Sequence, residues 1–336
     1  MNRPRAVSCA VLAIAIAGVA ALLSCGRRET PPQAGADVWR LRVCVTIPPL
    51  AFLVERVGGA HVLVETLVAP GVSPHSFEPT PKQVAALNGA ALYFTIGLPI
   101  ERPLAAKLGR SGLRVVELTA SSAPALPRGA DDAQERDAHE IAETAAKRSD
   151  QSGAKQAAHE DHDGHKHGHD ADLDPHVWLD PLRMKEMAVR VRDALQRADL
   201  SNAESYRANC AALLVELDQL HERVAAQLAP FGGRAFYVFH PAYGHFARRY
   251  GLRQVAIEVE GKEPTPRQMG LVIAQARAER AKVIFSEPQF PARTARIVAT
   301  EIGARVETLD PLAHDYIDNL RRVAERIAAA LASQPP

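Results

Sequence analysis

The chain has 336 residues, 47% hydrophobic and 24% charged, with a formal net charge of +1. That length allows two domains with hydrophobic cores of their own, and the composition is ordinary for a globular protein. A charge near zero leaves no overall field to gather nucleic acid or an acidic membrane surface, so no nucleic-acid partner is expected.

Arg3 and Arg5 precede an apolar run from Val7 to Leu23. The run is shorter than the roughly 20 residues a membrane-spanning helix needs, and it reads as a signal peptide. It ends in Leu22-Leu23-Ser24-Cys25-Gly26, which looks like a bacterial lipoprotein processing site. Residues 1–25 would then be the signal, with Cys25 lipidated as the first mature residue; a plain secretory signal with an incidental cysteine is the alternative. Acyl chains on Cys25 would hold the protein at a membrane, each buried CH₂ contributing about 0.8 kcal/mol. Residues 26–38, polar and rich in Pro, Gly and Ala, read as a tether. The expected location is the periplasm or the cell surface, lipid-anchored. Cys44 and Cys210 fall in a predicted strand and a predicted helix and read as small buried hydrophobes, since no CxxC spacing exists.

Strand-like and helical patterns then alternate, twice over. In the first half Leu41–Ile47, Val62–Val68, Ala91–Ile96 and Arg114–Leu118 read as strands, with helices over Leu50–Val57, Pro81–Leu87 and Pro99–Leu108. In the second half the strands are Ala235–Phe239, Gln254–Val259, Lys282–Ser286 and Arg305–Leu309. Helices are expected near His245–Tyr250, Thr265–Arg280, Pro291–Ile302 and Asp315–Leu331. This alternation predicts an α/β protein of two lobes, residues 39–180 and 231–336, each a mainly parallel four-stranded sheet with flanking helices. Residues 181–230 are helical almost throughout, broken once at Asp199-Leu200-Ser201-Asn202, where Ser201 or Asn202 is the candidate N-cap. The second piece, from Ala203 to Leu228, would be about 40 Å long at 1.5 Å per residue. It is either one stiff helix joining the lobes or a long surface helix of one of them.

Residues 121–172 are a shift in composition, first Pro-, Ala- and Gly-rich, then acidic and His-rich, and they read as an insertion that is disordered without metal. Long loops within compact domains are usually functional. The tract His159-Glu-Asp-His162-Asp-Gly-His165-Lys-His167-Gly-His169-Asp makes His159, His162, His165, His167 and His169 candidates for a secondary metal site; a solvated charged loop is the bland alternative.

Three further histidines stand in proline-marked loops: His75 in GVSPHSFEP, His176 in DPHVWLDP and His240 in FHPAYGHF. Imidazole is the commonest protein ligand for zinc and its neighbours. His75 and His240 follow predicted strands, where ligands bind in open α/β sheets, and so does Asp310 in Thr-Leu-Asp-Pro-Leu. His75 and His176 from the first lobe and His240 and Asp310 from the second would meet in a cleft. Three neutral imidazoles and one carboxylate make a tetrahedral zinc set. Asp310 would reduce the site's charge from +2 to +1, although Asp-Pro is also a common turn signal. His245 and His314, four to five residues beyond His240 and Asp310, could substitute for them or support them. His61, His139 and His221 look like solvated positions.

The ordered set GVSPHSFEPTP, DPHVWLDP, FHPAYGHFARRYGL, FSEPQF and LDPL resembles the solute-binding lipoproteins of bacterial ABC importers for zinc and manganese, specifically their zinc branch. The resemblance runs from about residue 40 to the C-terminus. It implies two α/β lobes joined by a long helix, metal held between them by His75, His176 and His240, and Asp310 as a fourth ligand. It also implies a permease and an ATPase as partners, and a His-rich insertion before the second histidine. Manganese members have a Glu where His240 stands, as the preference of manganese for oxygen ligands requires. Two positions depart from the family pattern, His245 in place of an aromatic residue and Ala-His after Asp-Pro-Leu in place of Gly. The implied function is a monomeric, non-enzymatic receptor that captures Zn²⁺ and delivers it to a permease, with affinity falling as pH drops toward the ordinary imidazole range near 6.5. A zinc hydrolase would need an open ligand position and a base, for which Glu78 and Glu287 are the nearest candidates, and no HExxH motif occurs. An adhesin or a metal store are the other readings.

Overall fold

The structure is a computed structural model describing residues 40–108, 112–119, 174–259 and 262–334. The expected signal peptide with Cys25, the tether, and the insertion with His139 and His159 to His169 lie outside the described residues.

The first sheet contains β1 (Leu41–Val45), β2 (Val62–Thr66), β3 (Leu92–Thr95) and β4 (Arg114–Glu117), all parallel, in the order β2-β1-β3-β4. The second contains β5 (Ala235–Val238), β6 (Arg253–Ala256), β7 (Val283–Ser286) and β8 (Arg305–Thr308), parallel and in the equivalent order β6-β5-β7-β8. Central strands β3, β5 and β7 are buried at every position because helices cover both faces of the sheets. In each sheet the first strand sits inside and the chain leaves it toward opposite edges. Loops beyond the C-terminal strand ends therefore diverge and leave a crevice, where such folds bind ligands.

Side chains along β5 show how alternation divides the packing. Phe236 and Val238 enter the main core, whereas Ala235, Tyr237 and Phe239 enter a second buried cluster on the opposite face. These residues pack with Val272 and Ala276 of α7 (Pro266–Ala278) and with Ala295 and Val298 of α8 (Arg293–Ile302). Seven of the eight predicted strands run one to three residues beyond the observed ones at their C-terminal ends, and β7 ends at Ser286 as predicted. The extra residues still pair by backbone hydrogen bonds, as in Val68 N–H to Thr46 O and Glu258 N–H to Phe239 O. They are extended chain entering the site loops.

Between the sheets run α4 (Pro181–Ala198) and α5 (Ala203–Leu228). Asp180 caps α4 by accepting from Leu182 N–H, with Pro181 in the first turn. At the break Asn202 occupies the N-cap position of α5 without capping it; its amide donates to Asp199 Oδ2, which also accepts from Tyr206 Oη. Tyr206, Cys210, Leu213, Leu217, Leu220, Val224 and Leu228 line one buried stripe of α5 at three- and four-residue spacing. The stripe packs against α4, against α1 (Pro48–Gly58) from the first half, and against α9 (Tyr316–Ala332) from the second. This is the joining helix, not a surface helix of one lobe. One continuous apolar core consequently runs from Leu41 to Leu331 through α5. Cys44 and Cys210 are buried free thiols, as expected.

The segment leading into α4 is fastened to the second half. Trp178, fully buried, donates its Nε1–H to Pro311 O at 2.8 Å, and Tyr316 Oη donates to Trp178 O at 2.7 Å. Arg249, at the end of α6 (Gly244–Arg249), grips Asp180 through Nε and Nη2.

Candidate metal centre

His75 lies in the loop between β2 and α2 (Pro81–Asn88), exposed, with its N–H directed at Ser73 Oγ. Gly71 turns that loop at φ +79°, a conformation glycine adopts without strain. His176 stands just before a single 3₁₀ turn, Val177–Leu179, and is buried. Its N–H donates to Asp174 Oδ1 at 3.0 Å, and its Nδ1 is 2.7 Å from the same oxygen. A carboxylate can only accept, so the His176 proton sits on Nδ1 and Nε2 carries the lone pair.

His240 follows β5 and is also buried. Backbone pairing of Phe239 with Glu258 sets the two chain segments side by side. His240 Nδ1 thereby lies 3.1 and 3.2 Å from the two Glu258 oxygens, which again leaves the lone pair on Nε2. Its N–H donates to Glu287 Oε2, and Phe290 stacks on its ring at 4.6 Å. All four strands of the second sheet deliver a polar group to this place: His240 after β5, Glu258 after β6, Glu287 and Gln289 after β7, and Asp310 after β8.

The two far ring nitrogens, His176 Nε2 and His240 Nε2, are 3.2 Å apart. Two imidazole nitrogens on a tetrahedral zinc, each at 2.0–2.1 Å, would be separated by about 3.3 Å. The ring of His75 stands 5.5 Å from that of His176 and 4.9 Å from that of His240. One ligand atom from each of the three lies within 4.8 Å of the others. The donors and their spacing fit a first-row transition metal.

Burial opposes the charge on Asp174. Its electrostatic interactions with His176 and His245 and the hydrogen bonds from His176 hold the carboxyl below its ordinary range. Glu287 behaves oppositely. Burial pushes it well above the usual carboxylate range despite backbone hydrogen bonds, and the neighbouring Glu258 charge adds to the effect.

The group of ligand atoms within 4.8 Å of one another comprises His75, His176 and His240, and Asp310 stands outside it. Its Oδ1 accepts from Gln289 Nε2 at 2.7 Å and from Leu312 N–H at 2.9 Å, bonds that hold the carboxylate in the turn after β8. His245, buried, points Nε2 at Asp174 O at 3.1 Å, so it supports the His176 loop. His314 is exposed and pairs with Glu55 at 2.8 Å. His61 and His221 are half-buried against Tyr206 and Tyr250, not fully solvated. Sequence reasoning missed Asp174 and Glu258 as carboxylate partners. Asp174 could have been found two residues before His176, but Glu258 carries no local signal.

The sequence pattern of one protein family, described as ZnuA, the periplasmic component A of a zinc-uptake complex, matches residues 43–330. The chain belongs to this family. Among curated relatives, the high-affinity zinc uptake system protein ZnuA of Yersinia pestis is 28% identical over 278 residues, 80% of this chain and 82% of that protein. The zinc-binding lipoprotein AdcA of Streptococcus pneumoniae (strain ATCC BAA-255 / R6) is 25% identical over 81% of this chain and 50% of its own length. A crystal structure of a ZnuA mutant with residues 138–173 deleted and zinc bound superposes with a TM-score of 0.72 at 34% identity, covering 88% of this chain and all of that one. Membership in the zinc branch, read from five short motifs, agrees with these likenesses, and so does the two-lobed fold of the family.

Proposed function

We propose that the protein captures Zn²⁺ through His75, His176 and His240 outside the cytoplasmic membrane and delivers it to the permease and ATPase of an ABC importer. The observation that carries this reading is the 3.2 Å separation of two imidazole nitrogens, each on a ring whose far side faces a carboxylate. The family's description and the names of its relatives supply the direction of transport. As a receptor the protein performs no catalysis. It works as a monomer, held by the lipid on Cys25 at the end of a 26–38 tether, in the periplasm or at the cell surface. The His-rich tract from His159 to His169 is a weaker secondary site that feeds the first.

Isothermal titration with zinc tests the main site. Combined replacement His75→Ala, His176→Ala and His240→Ala, with residues 139–170 also deleted, should abolish tight one-to-one binding; its survival rejects the assignment. Deleting 139–170 alone should lower the stoichiometry and spare the tightest site.

A further inference from the structure

A net charge near zero conceals a local imbalance in the second half of the chain. Residues 262–305 hold eight Lys and Arg against four Glu. Those four Glu are engaged already: Glu263 accepts from Thr294, Glu279 pairs with Arg253, Glu301 pairs with Arg277, and Glu287 is buried behind His240. Arg267 of α7 and Arg293 and Arg296 of α8 are exposed, and their side chains make no hydrogen bond or ion pair among the described residues.

The two helices lie side by side on the second sheet. The Thr294 bond to Glu263 ties them at one end and the Arg277 guanidinium on Glu301 at the other. Their outer faces form one surface. On α7, Arg267, Leu271, Ala274 and Ala278 recur at helical spacing and are exposed; on α8, Arg293, Arg296, Ile297 and Thr300 do the same. Leu271 is 57% and Ile297 41% exposed, two large aliphatic side chains set among guanidinium groups. Helix stability does not account for those cations. Arg267 and Arg293 stand in first turns, where the helix dipole disfavours positive charge and no acidic residue offsets it.

Guanidinium groups around protruding aliphatic side chains match the interface of an anionic bilayer, which offers phosphates outside and acyl chains beneath. Such a surface is always near. The link from Cys25 to Arg40 reaches at most about 50 Å even fully extended, so an acyl-anchored chain stays beside its membrane.

We propose that this face of α7 and α8 docks on an anionic phospholipid bilayer, with Arg267, Arg293 and Arg296 meeting headgroup phosphates and Leu271 and Ile297 entering the interface. Both helices connect parallel strands and run back against them, so their first turns lie at the crevice end of the sheet. Docking there restricts the orientations of the tethered protein and holds that end of the second sheet near the bilayer.

Cosedimentation with vesicles tests this, using the mature chain, residues 25–336, with Cys25→Ser so that no acyl chain contributes. The chain should bind vesicles of phosphatidylcholine and phosphatidylglycerol, should not bind phosphatidylcholine alone, and should be released by salt. Each arginine contributes about fivefold, so Arg267→Gln, Arg293→Gln and Arg296→Gln together should lower the partition coefficient roughly 100-fold. Leu271→Ser with Ile297→Ser should lower it several-fold. Removing the same charge elsewhere, by the exposed Arg197→Gln, Arg207→Gln and Arg223→Gln, should leave it nearly unchanged. No binding to the anionic vesicles, or an equal loss from both triple variants, would overturn the proposal. Retention on immobilised polyglutamate without vesicle binding would assign the face to an acidic protein and overturn it equally. The inference rests on the lipid-anchored location proposed above, which labelled palmitate tests separately: no label on Cys25 refutes the anchor, whereas loss of vesicle binding refutes the face.

Discussion

Replacing Glu258 by Gln should weaken zinc binding without unfolding the protein. The change keeps the shape and an acceptor for His240 Nδ1 but removes a buried negative charge 3.1 Å from that nitrogen. Adding about 2.2 Å across the imidazole ring and about 2.0 Å for the metal bond puts the carboxylate about 7 Å from the ion. A dication and a monoanion at that distance attract by about 5 kcal/mol at an effective dielectric of about 20, which is a ceiling before desolvation is counted. Losses measured on removing such outer carboxylates run from about 10- to 100-fold in affinity, or about 1.4–2.7 kcal/mol. The zinc dissociation constant of Glu258→Gln should therefore rise about 10- to 100-fold, measured by competition with a chromophoric chelator near neutral pH. Glu55→Gln provides the control, because Glu55 pairs with exposed His314 away from the histidine group. An affinity for Glu258→Gln within about twofold of wild type, with the fold intact by circular dichroism, would refute the claim that the carboxylate tunes His240.

Asp174→Asn should act in the same direction on His176, since the same logic fixes its ring, and the chelator competition reads it equally. Trp178→Phe should lower stability by about 1–2 kcal/mol through loss of the bond to Pro311 O, and Trp178→Ala by about 3–5 kcal/mol, both read by urea unfolding of the metal-free protein. Glu101 provides a pH test. Burial raises its carboxyl from 4.5 to about 7 against hydrogen bonds from Thr46 and the N–H groups of Ile96, Leu98 and Gly97. Between those values the folded chain binds more protons at Glu101 than the unfolded one, so the contribution of Glu101 to stability is most favourable below pH 4.5 and is lost as pH rises through 7. The stability of wild type relative to Glu101→Gln should fall by roughly 3 kcal/mol across that window in urea unfolding, and a pH-independent difference would contradict it.

Much of this protein was legible before any coordinates. Buried parallel strands announce themselves as short β-branched and aromatic runs, so all eight were located by sequence, with errors confined to one residue at some N-terminal ends and to residues that continue into loops at most C-terminal ends. The stripe from Tyr206 to Leu228 identified the long helix, but whether it served one lobe or two depended on what covers it, and α1 and α9 lie more than a hundred residues apart in the chain. His75, His176 and His240 were recognisable because proline-marked loops after strands, and a histidine just before a helix, are local patterns.

Tertiary structure alone decided which polar groups stand behind and beside those histidines. Glu258 reaches His240 because adjacent parallel strands bring together residues 18 positions apart, and no periodicity in the chain records that pairing. Asp310 has the right residue type at the right strand end, yet hydrogen bonds from Gln289 and Leu312 hold its carboxylate in the turn after β8. Residue identity and spacing determine which side chains can donate to a metal. Which lone pairs are free to do so depends on hydrogen bonds between segments that meet only when the chain has folded.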